Sequence, residues 1–143
     1  MRALGLDLGS KRIGVAVSDR SGAIASPLTV VARSRSRRHD HETLAALVRE
    51  EEADVVVIGL PRSLSGDLGP AARGVLKEVE VLATVVGVPV ETYDERLSTV
   101  AAESVLRERG VHGAARRQVV DKVAAAVILQ GWLDARRSTT AHP

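Results

Sequence analysis

Apolar and small residues alternate along the start of the chain, a pattern typical of strands with two different faces. Over residues 2–8, three leucines share one side, while Gly5, Asp7 and the following Gly9 share the other. Residues 12–18 repeat the alternation, with Ile and Val on one side and Gly, Ala and Ser on the other. The Gly-Ser pair between them suits a tight turn, and residues 27–32 predict a third strand. The pattern predicts an antiparallel meander with one bulky and one small-residue face.

Helical and strand patterns alternate after the meander. Amphipathic spacing predicts a helix over residues 41–52, with Leu44, Leu47 and Val48 facing inward. The run of Val and Ile over residues 54–59 predicts a central strand that is buried on both faces. Residues 33–39 before this unit are predicted to form a polar, basic loop.

The second half of the chain continues the alternation. Pro70 is suited to the first turn of a long helix that ends near Gly87, and residues 89–94 predict a fifth strand. The predicted inward stripe of this long helix consists of Ala72, Val75, Leu76, Val79, Leu82, Ala83 and Val86. Two further helices are predicted over residues 98–110 and 118–135.

These elements predict an α/β fold with a five-stranded mixed sheet, three antiparallel strands followed by two parallel ones, flanked by helices. Residues 1–135 form one domain in this interpretation, and residues 136–143 are predicted to be a disordered tail.

Composition narrows the class of protein. The 143 residues include no cysteine, so disulfides and thiolate metal sites are excluded. The first residues lack the long apolar run and small-residue cleavage site of a signal peptide, and no apolar stretch is long enough to span a membrane. We expect a soluble, cytoplasmic protein.

Basic residues are mostly arginine, with only three lysines, although the net charge is only +2. Arginine binds phosphate in a bidentate manner, but a codon bias toward arginine explains the composition equally well. The arginines form two clusters that are either phosphate-facing patches or solvated loops. The clusters are Arg33, Arg35, Arg37 and Arg38, and Arg107, Arg109, Arg116 and Arg117.

Asp7 is unusual because it interrupts an apolar strand and faces the small-residue side. A lone buried carboxylate is costly unless its pKa shifts or a cation binds it. The small neighbours leave room for an ion and a phosphate. The alternative is a structural Asp whose carboxylate accepts hydrogen bonds from the backbone of Gly9 and Ser10.

Two later acids have comparable positions. Asp121 shares a helical stripe with Ala125, Ile128 and Trp132, so it points toward the core or a cleft, unless it acts only as an acid in the first helical turn. The alanines around Ala125 allow that helix to approach the sheet closely. Glu95 ends the fifth strand, where sites form in parallel sheets.

Glu95 has two alternatives: it is an exposed loop acid, or the neighbouring Asp94 turns inward instead. Asp7, Glu95 and Asp121 together would provide hard oxygen ligands for Mg²⁺ or Mn²⁺. Two such ions would activate a water and stabilise the leaving oxygen during phosphodiester hydrolysis.

Other chemistries have weaker support. Three adjacent residues, His39, Asp40 and His41, cannot converge on one ion and are interpreted as a solvated helix start. No histidine base is evident near Ser10, Ser18 or Ser63, so a serine nucleophile is not supported.

Four strings in order resemble the signature blocks of the YqgF family, also called RuvX or Holliday junction resolvase family, between Gly5 and Asp134. The strings are GLDLGSKRIGVAVSD, VVIGLPRSLSGDLGP, ETYDERLSTVAAE and DKVAAAVILQGWLD. The resemblance implies a ribonuclease H-like fold and assigns catalysis to the acids of the first, third and fourth blocks. Carried onto this chain, these acids are Asp7, Glu95 and Asp121.

The second block departs from the family pattern Gly-Leu-Pro-Leu-Asn-hydrophobic-Asp-Gly. Arg62 and Ser63 replace Leu-Asn, and Ser65 replaces the acid, which leaves the substrate contacts of this loop open. By position and charge, the candidates for phosphate contacts are Lys11, Arg12, Arg62 and Arg96.

The resemblance leaves two substrates open, four-way junction DNA and the 5′ end of precursor 16S ribosomal RNA. A junction resolvase is expected to be a symmetric homodimer, whereas an RNA-processing nuclease need not be. Two rival functions remain: a fragment of an actin-like or sugar-kinase-like nucleotide-binding protein, suggested by Asp7-Leu8-Gly9-Ser10, and a nucleic-acid-binding module without catalysis.

Overall fold

The computed structural model describes residues 1–61, 68–94 and 113–140, and in the last range the side chains of residues 121–137. The described elements, in chain order, are β1 (Ala3–Leu8), β2 (Arg12–Ser18), β3 (Ala25–Ala32), α1 (Arg37–Glu50), β4 (Val55–Leu60), α2 (Pro70–Val86), β5 (Val90–Asp94) and α3 (Gly113–Thr140). None of the helices in these ranges is long and apolar enough to cross a membrane.

The five strands form one sheet in the order β3-β2-β1-β4-β5. β1 pairs antiparallel with β2, and β2 pairs antiparallel with β3. β4 lies parallel to both β1 and β5. The predicted mixed sheet is therefore confirmed, and the carboxyl ends of β1, β4 and β5 meet at one edge, where loop residues converge on a site.

The two faces of the sheet are covered by different helices. The bulky face, which includes Leu4, Leu6 and Ile13, packs against α1 and α2. The other face carries small residues such as Ala3 and Ala16. Helix α3 packs on this face with buried residues such as Ala125 and Leu129. Burial on both sides explains why β4 is an uninterrupted apolar run.

Helix α3 lies very close to the sheet because two strand positions have no side chain. A Cβ built on Gly14 would overlap the backbone oxygen of Asp121, and one on Gly5 would lie 3.1 Å from that of Ala125. The side chain of Gln130 ties the same helix to β3: it accepts a hydrogen bond from the Ala25 amide at 2.8 Å. The small-residue face therefore determines where α3 sits.

Several element boundaries differ from the sequence-based expectation. α1 begins at Arg37, within the predicted basic loop, because the Ser36 hydroxyl caps it by accepting from the His39 amide. α2 has the predicted bounds and ends at Gly87, whose φ of 74° lies in the left-handed region that favours glycine. Ala83 of the predicted inward stripe is exposed, because it lies on the solvent side of the helix.

The largest difference concerns the last helix. It extends from Gly113 to Thr140, beyond the predicted 118–135 at both ends, so residues 136–140 are helical where a disordered tail was expected. The predicted helix over residues 98–110 lies outside the described residues.

Gly14→Ala and Gly74→Ala form a matched pair that tests the close approach of α3. We expect Gly14→Ala to destabilise the protein by about 2–3 kcal/mol, because the new methyl overlaps the α3 backbone. Gly74 lies in α2 with no atom within 4 Å of an added Cβ, so Gly74→Ala should stabilise by up to about 1 kcal/mol. Urea unfolding measures both, and a tolerated Gly14→Ala would contradict the described packing.

Candidate functional site

The close approach of α3 brings Asp7 and Asp121 into one acidic site. Asp7 lies directly opposite Gly14 in the β1–β2 ladder, and Gly14 is the position against which the Asp121 backbone packs. Asp121 is well inside α3, which begins at Gly113, so the interpretation as an acid of the first helical turn is wrong. Two carboxylates that are far apart in sequence therefore face the same small space.

The pKa of Asp7 shows the electrostatic consequence. Burial of its carboxyl, followed by repulsion from the charge of Asp121, raises its pKa from 3.8 to about 6. The turn after β1 is closed by a hydrogen bond from the Gly9 amide to the main-chain oxygen of Asp7 at 3.1 Å. That hydrogen bond involves the backbone of Asp7 and leaves its carboxylate to face the α3 side.

Arg12 supplies the positive charge of the acidic site. Its Nε donates to Oδ2 of Asp121 at 2.6 Å, and both side chains are partly exposed. Arg12 lies two positions before Gly14 on β2, so both share one face of the sheet. The sequence analysis named Arg12 as a phosphate contact, and its present partner is a carboxylate of the same site.

Strand register separates Asp94 from the acidic site. Asp94 pairs with Leu60, and Tyr93 pairs with Gly59. Tyr93 packs with the α3 side of the sheet, so alternation places Asp94 on the opposite face from Asp7. Asp94 is therefore a poor candidate for a shared ion site with Asp7.

The other predicted site residues divide into described and undescribed ones. Lys11 is exposed beside the turn that follows β1. Glu95, Arg62 and Arg96 lie outside the described residues. Among the described side chains, no group of three or more His, Cys, Asp or Glu is arranged to hold a metal ion, and Asp7 with Asp121 supplies two of the three predicted ligands.

The structure also contains a buried ionic network that the sequence analysis missed. Glu78 of α2 accepts two hydrogen bonds from the Arg33 guanidinium, each at 2.9 Å, and its Oε2 lies 2.7 Å from His41 Nε2. Arg33 Nε also donates to the Gly9 carbonyl at 2.7 Å. The network therefore ties the turn after Asp7 to both α1 and α2.

These contacts correct two expectations. The predicted solvated helix start is wrong for Asp40 and His41, which are only 2% and 1% exposed. A solvated loop is likewise wrong for Arg33, whose side chain is 13% exposed, whereas Arg35 and Arg38 are exposed. Glu78 occupies the inward stripe of α2, three residues after Val75, and that position was the available signal.

Hydrogen bonding decides the ionisation of the buried acids. Burial alone would raise the pKa of Glu78, but hydrogen bonds from Arg33 and His41 and the charge of Arg33 outweigh it and lower the pKa. Burial of Asp40 is likewise outweighed by hydrogen bonds from Ser34 and the charge of Arg33, which lower its pKa. Both acids are therefore held as carboxylates, as buried partners of cations require.

Asp7→Asn should stabilise the protein in the presence of a chelator at pH 7.5, by up to about 3 kcal/mol. The folded state binds the Asp7 proton more tightly than the unfolded state does, so stability falls as pH rises from 3.8 to about 6. The asparagine removes that loss, and the gain should disappear near pH 3.5. Thermal unfolding at both pH values measures it, with the exposed Asp134→Asn as control; equal stability of parent and Asp7→Asn at pH 7.5 would contradict the repulsion.

Glu78→Gln should lower the free energy of unfolding at pH 7 by about 3 kcal/mol, because it removes the charge of the carboxylate that is hydrogen-bonded to the buried Arg33 guanidinium. The pKa of Glu78 is lowered in the folded state. Its contribution to the free energy of unfolding is therefore fully present above pH 4.5 and is lost as the pH falls. The difference from the parent should therefore shrink at pH 3. Glu80→Gln, an exposed change on the same helix, is the matched control in urea unfolding; similar losses in both variants would refute the role of Glu78.

Comparison with known proteins places the chain in a family. The model of the RuvX family, described as Holliday junction resolvase, matches residues 1–135. A Myxococcus xanthus protein named "Putative pre-16S rRNA nuclease" is 51% identical, and the match covers 100% of this chain and 95% of that protein. A Thermoanaerobacter pseudethanolicus protein of the same name is 43% identical, with 96% of this chain and 99% of that protein covered.

A solved structure has the same fold. The structure titled "T. thermophilus RuvC in complex with Holliday junction substrate" aligns with a TM-score of 0.61 at 22% identity, over 97% of each chain. The alignment confirms the ribonuclease H-like fold that the resemblance implied. With the family model matched over nearly the whole chain, the protein belongs to the RuvX (YqgF) family.

Proposed function

We propose that this protein is a metal-dependent endonuclease that hydrolyses phosphodiesters in structured nucleic acid. The observation that carries the proposal is the pairing of Asp7 with Asp121 beside the carboxyl end of β1, where burial and mutual repulsion raise the pKa of Asp7 to about 6. Two carboxylates kept close together at such a cost are typical of sites that bind divalent cations or share a proton. The names of the family and its relatives favour a nuclease, and paired carboxylates in a nuclease site favour a bound cation over a shared proton.

The donor set fits Mg²⁺ or Mn²⁺. Carboxylate oxygens are the ligands these ions prefer, and a dication removes the repulsion between Asp7 and Asp121. Asp7, Glu95 and Asp121 would hold the metal, with two ions in the proposed arrangement. When bound, the ions would supply activation of the attacking water and stabilisation of charge on the phosphate and leaving oxygen.

Glu95 remains the third ligand in this proposal. Asp94 pairs with Leu60 of β4, one position beyond the Gly59–Tyr93 pair on the α3 side, so it lies on the opposite face of the sheet from Asp7. The next residue in the chain is Glu95, and the family motif assigns the role to it. The proposal therefore prefers Glu95 to Asp94.

The residues around the acids have a separate role, which is to position the substrate. Arg12 holds the Asp121 carboxylate at 2.6 Å, and its guanidinium also carries the charge needed to bind a phosphate. Gly14 lets the backbone of Asp121 pack against β2 beside Asp7, and a larger side chain there would push the two acids apart. We propose that Lys11, Arg62 and Arg96 contact further phosphates.

We propose precursor 16S rRNA as the principal substrate, because full-length relatives that are 43–51% identical are named for it. Four-way junction DNA is the second candidate, which the description of the matching family favours. Junction cleavage would require a homodimer with paired sites. A cytoplasmic location accompanies the proposed rRNA substrate.

The test uses the purified protein with labelled precursor 16S rRNA, four-way junction DNA and linear duplex, each with Mg²⁺, Mn²⁺ or chelator. We expect cleavage of the precursor RNA only with metal. Sedimentation of the protein on junction DNA determines whether a dimer binds. Cleavage in chelator would contradict metal dependence, and cleavage of the junction alone would reassign the substrate.

Asp7→Asn and Asp121→Asn should each reduce the cleavage rate at least about 100-fold, because each removes a charged ligand at the reacting centre. Binding of the RNA should change much less, since the acids do not attract phosphate. Asp134→Asn removes an exposed acid of the same helix as Asp121 and serves as the control. Undiminished cleavage by Asp7→Asn would refute the mechanism, and absence of cleavage by the parent would favour a binding module.

A further inference from the structure

A basic cavity lies on the other face of the sheet from the acidic site. It has a volume of about 530 Å³ and opens where β1 and β4 end, next to α1 and α2. Leu8 faces this cavity, whereas the preceding residue, Asp7, faces α3. Its walls carry three arginines, Arg33, Arg35 and Arg37, that the acidic site does not use.

Hydrogen bonds and ion pairs hold the side chains at the floor of the cavity. Arg33 is fixed by its two hydrogen bonds to Glu78 and by one to the Gly9 carbonyl. Asp40 accepts a hydrogen bond from the Ser34 amide at 2.9 Å. The two carboxylates of the cavity therefore already have partners, and three guanidinium groups face two acids, which leaves the cavity with a net positive charge.

The remaining arginines are available to a ligand from solvent. Arg35 is exposed, and the Arg37 side chain is 61% exposed, with its Nε at the long distance of 3.8 Å from Glu78. Because the Arg37 guanidinium is largely solvated and lies at this long distance from the buried Glu78, the ion pair contributes little stability and exchanges readily for a better partner. A phosphate group is such a partner, because a guanidinium binds two of its oxygens at once.

Backbone polarity adds to this attraction. α1 begins at Arg37, and α2 begins beside the cavity with Pro70 after a glycine that offers no side-chain cap. Both helices direct the positive end of their dipole toward the same side as the arginines. The arginines nevertheless carry the main attraction, since the helix ends act only within about one turn.

The position of the cavity indicates which phosphate it receives. Gly9 and Ser10 line it, and they directly follow the strand that carries Asp7. A nucleic-acid strand whose reacting phosphate lies at the acidic site therefore has other phosphates within reach across this turn. A free nucleotide has no connected strand that would hold a second phosphate at the acidic site.

We propose that the cavity formed by Arg33, Arg35 and Arg37 binds a backbone phosphate of the nucleic-acid substrate, outside the position of cleavage. The inference rests on the proposed nuclease function and adds a second anchoring point to it. Arg35 and Arg37 contact the phosphate, while Arg33 holds the floor and the Gly9 turn. The cavity thereby aligns the strand over the turn between the two sites.

The test compares the double variant Arg35→Ala/Arg37→Ala with Arg20→Ala/Arg49→Ala. The control removes the same charge from exposed arginines at the opposite edge of the sheet, where Arg20 contacts Glu52. Fluorescence anisotropy with labelled precursor 16S rRNA and four-way junction DNA in chelator measures affinity at several salt concentrations. Circular dichroism confirms that both variants are folded.

We expect Arg35→Ala/Arg37→Ala to weaken binding at least about 10-fold and to reduce the slope of log affinity against log salt by about 1–2. With metal, KM should rise similarly while kcat changes less than about 2-fold, because these residues do not touch the reacting atoms. The control should match the parent in both assays.

Three outcomes would overturn the proposal. Equal binding and salt slope in the two double variants would show that the cavity does not contact nucleic acid, even where the parent cleaves normally. Calorimetric binding of inorganic phosphate or a nucleoside monophosphate that requires Arg35 and Arg37, with unchanged nucleic-acid binding, would assign the cavity to a small ligand. A loss of kcat without a change of affinity would place the arginines in catalysis. Absence of cleavage by the parent refutes the nuclease function separately, since affinity is measured without metal.

Discussion

The arrangement of the site depends on the direct packing of α3 onto the glycine face of β1 and β2. Gly14 allows the backbone of Asp121 to occupy the space that a Cβ would take, directly across the ladder from Asp7. Two like charges become neighbours as a result, which raises the pKa of Asp7 and lowers stability at neutral pH. Burial of Ile128, Leu129 and other apolar residues of α3 against the sheet offsets this cost, so the fold maintains an unfavourable electrostatic arrangement at one edge.

A single strand connects the acidic site to the basic cavity. Side chains alternate along β1, so Asp7 faces α3 and Leu8 faces α1 and α2. The turn that follows is held by Arg33 through the Gly9 carbonyl, and Arg33 is in turn held by the buried Glu78. The ionic network therefore has a mechanical role at the turn, in addition to its effect on stability. The two acids and the arginines of the cavity lie on opposite faces of the sheet. The proposed binding of cations on one face and of phosphate on the other would therefore not be weakened by neutralisation between the two groups.

Most of the architecture could be predicted from local patterns, because side-chain period and glycine, proline and serine positions act over a few residues. The antiparallel meander, its two different faces and the end of α2 at Gly87 follow from such signals, whereas the position of β4 beside β1 comes from the tertiary structure. The errors concern positions where distant partners override local preference. Asp40 and His41 look solvated in sequence, yet they are buried, and His41 contacts Glu78 of a different helix. Polar residues become stable in a core only when such a partner is present, and no local pattern identifies it.

The sequence by itself predicted the mixed sheet, its small-residue face, Asp7 as a candidate acid on that face and Asp121 as a candidate on the last helix, through alternation, helical spacing and resemblance to a family. Only the tertiary structure decided that Asp121 lies against Gly14, that Arg12 binds it, and that Asp94 faces away from Asp7. The physical reason is that side-chain periodicity specifies which face a residue occupies. Its neighbour on that face, and therefore its charge state, depends on strand register and on how closely a helix from another part of the chain approaches.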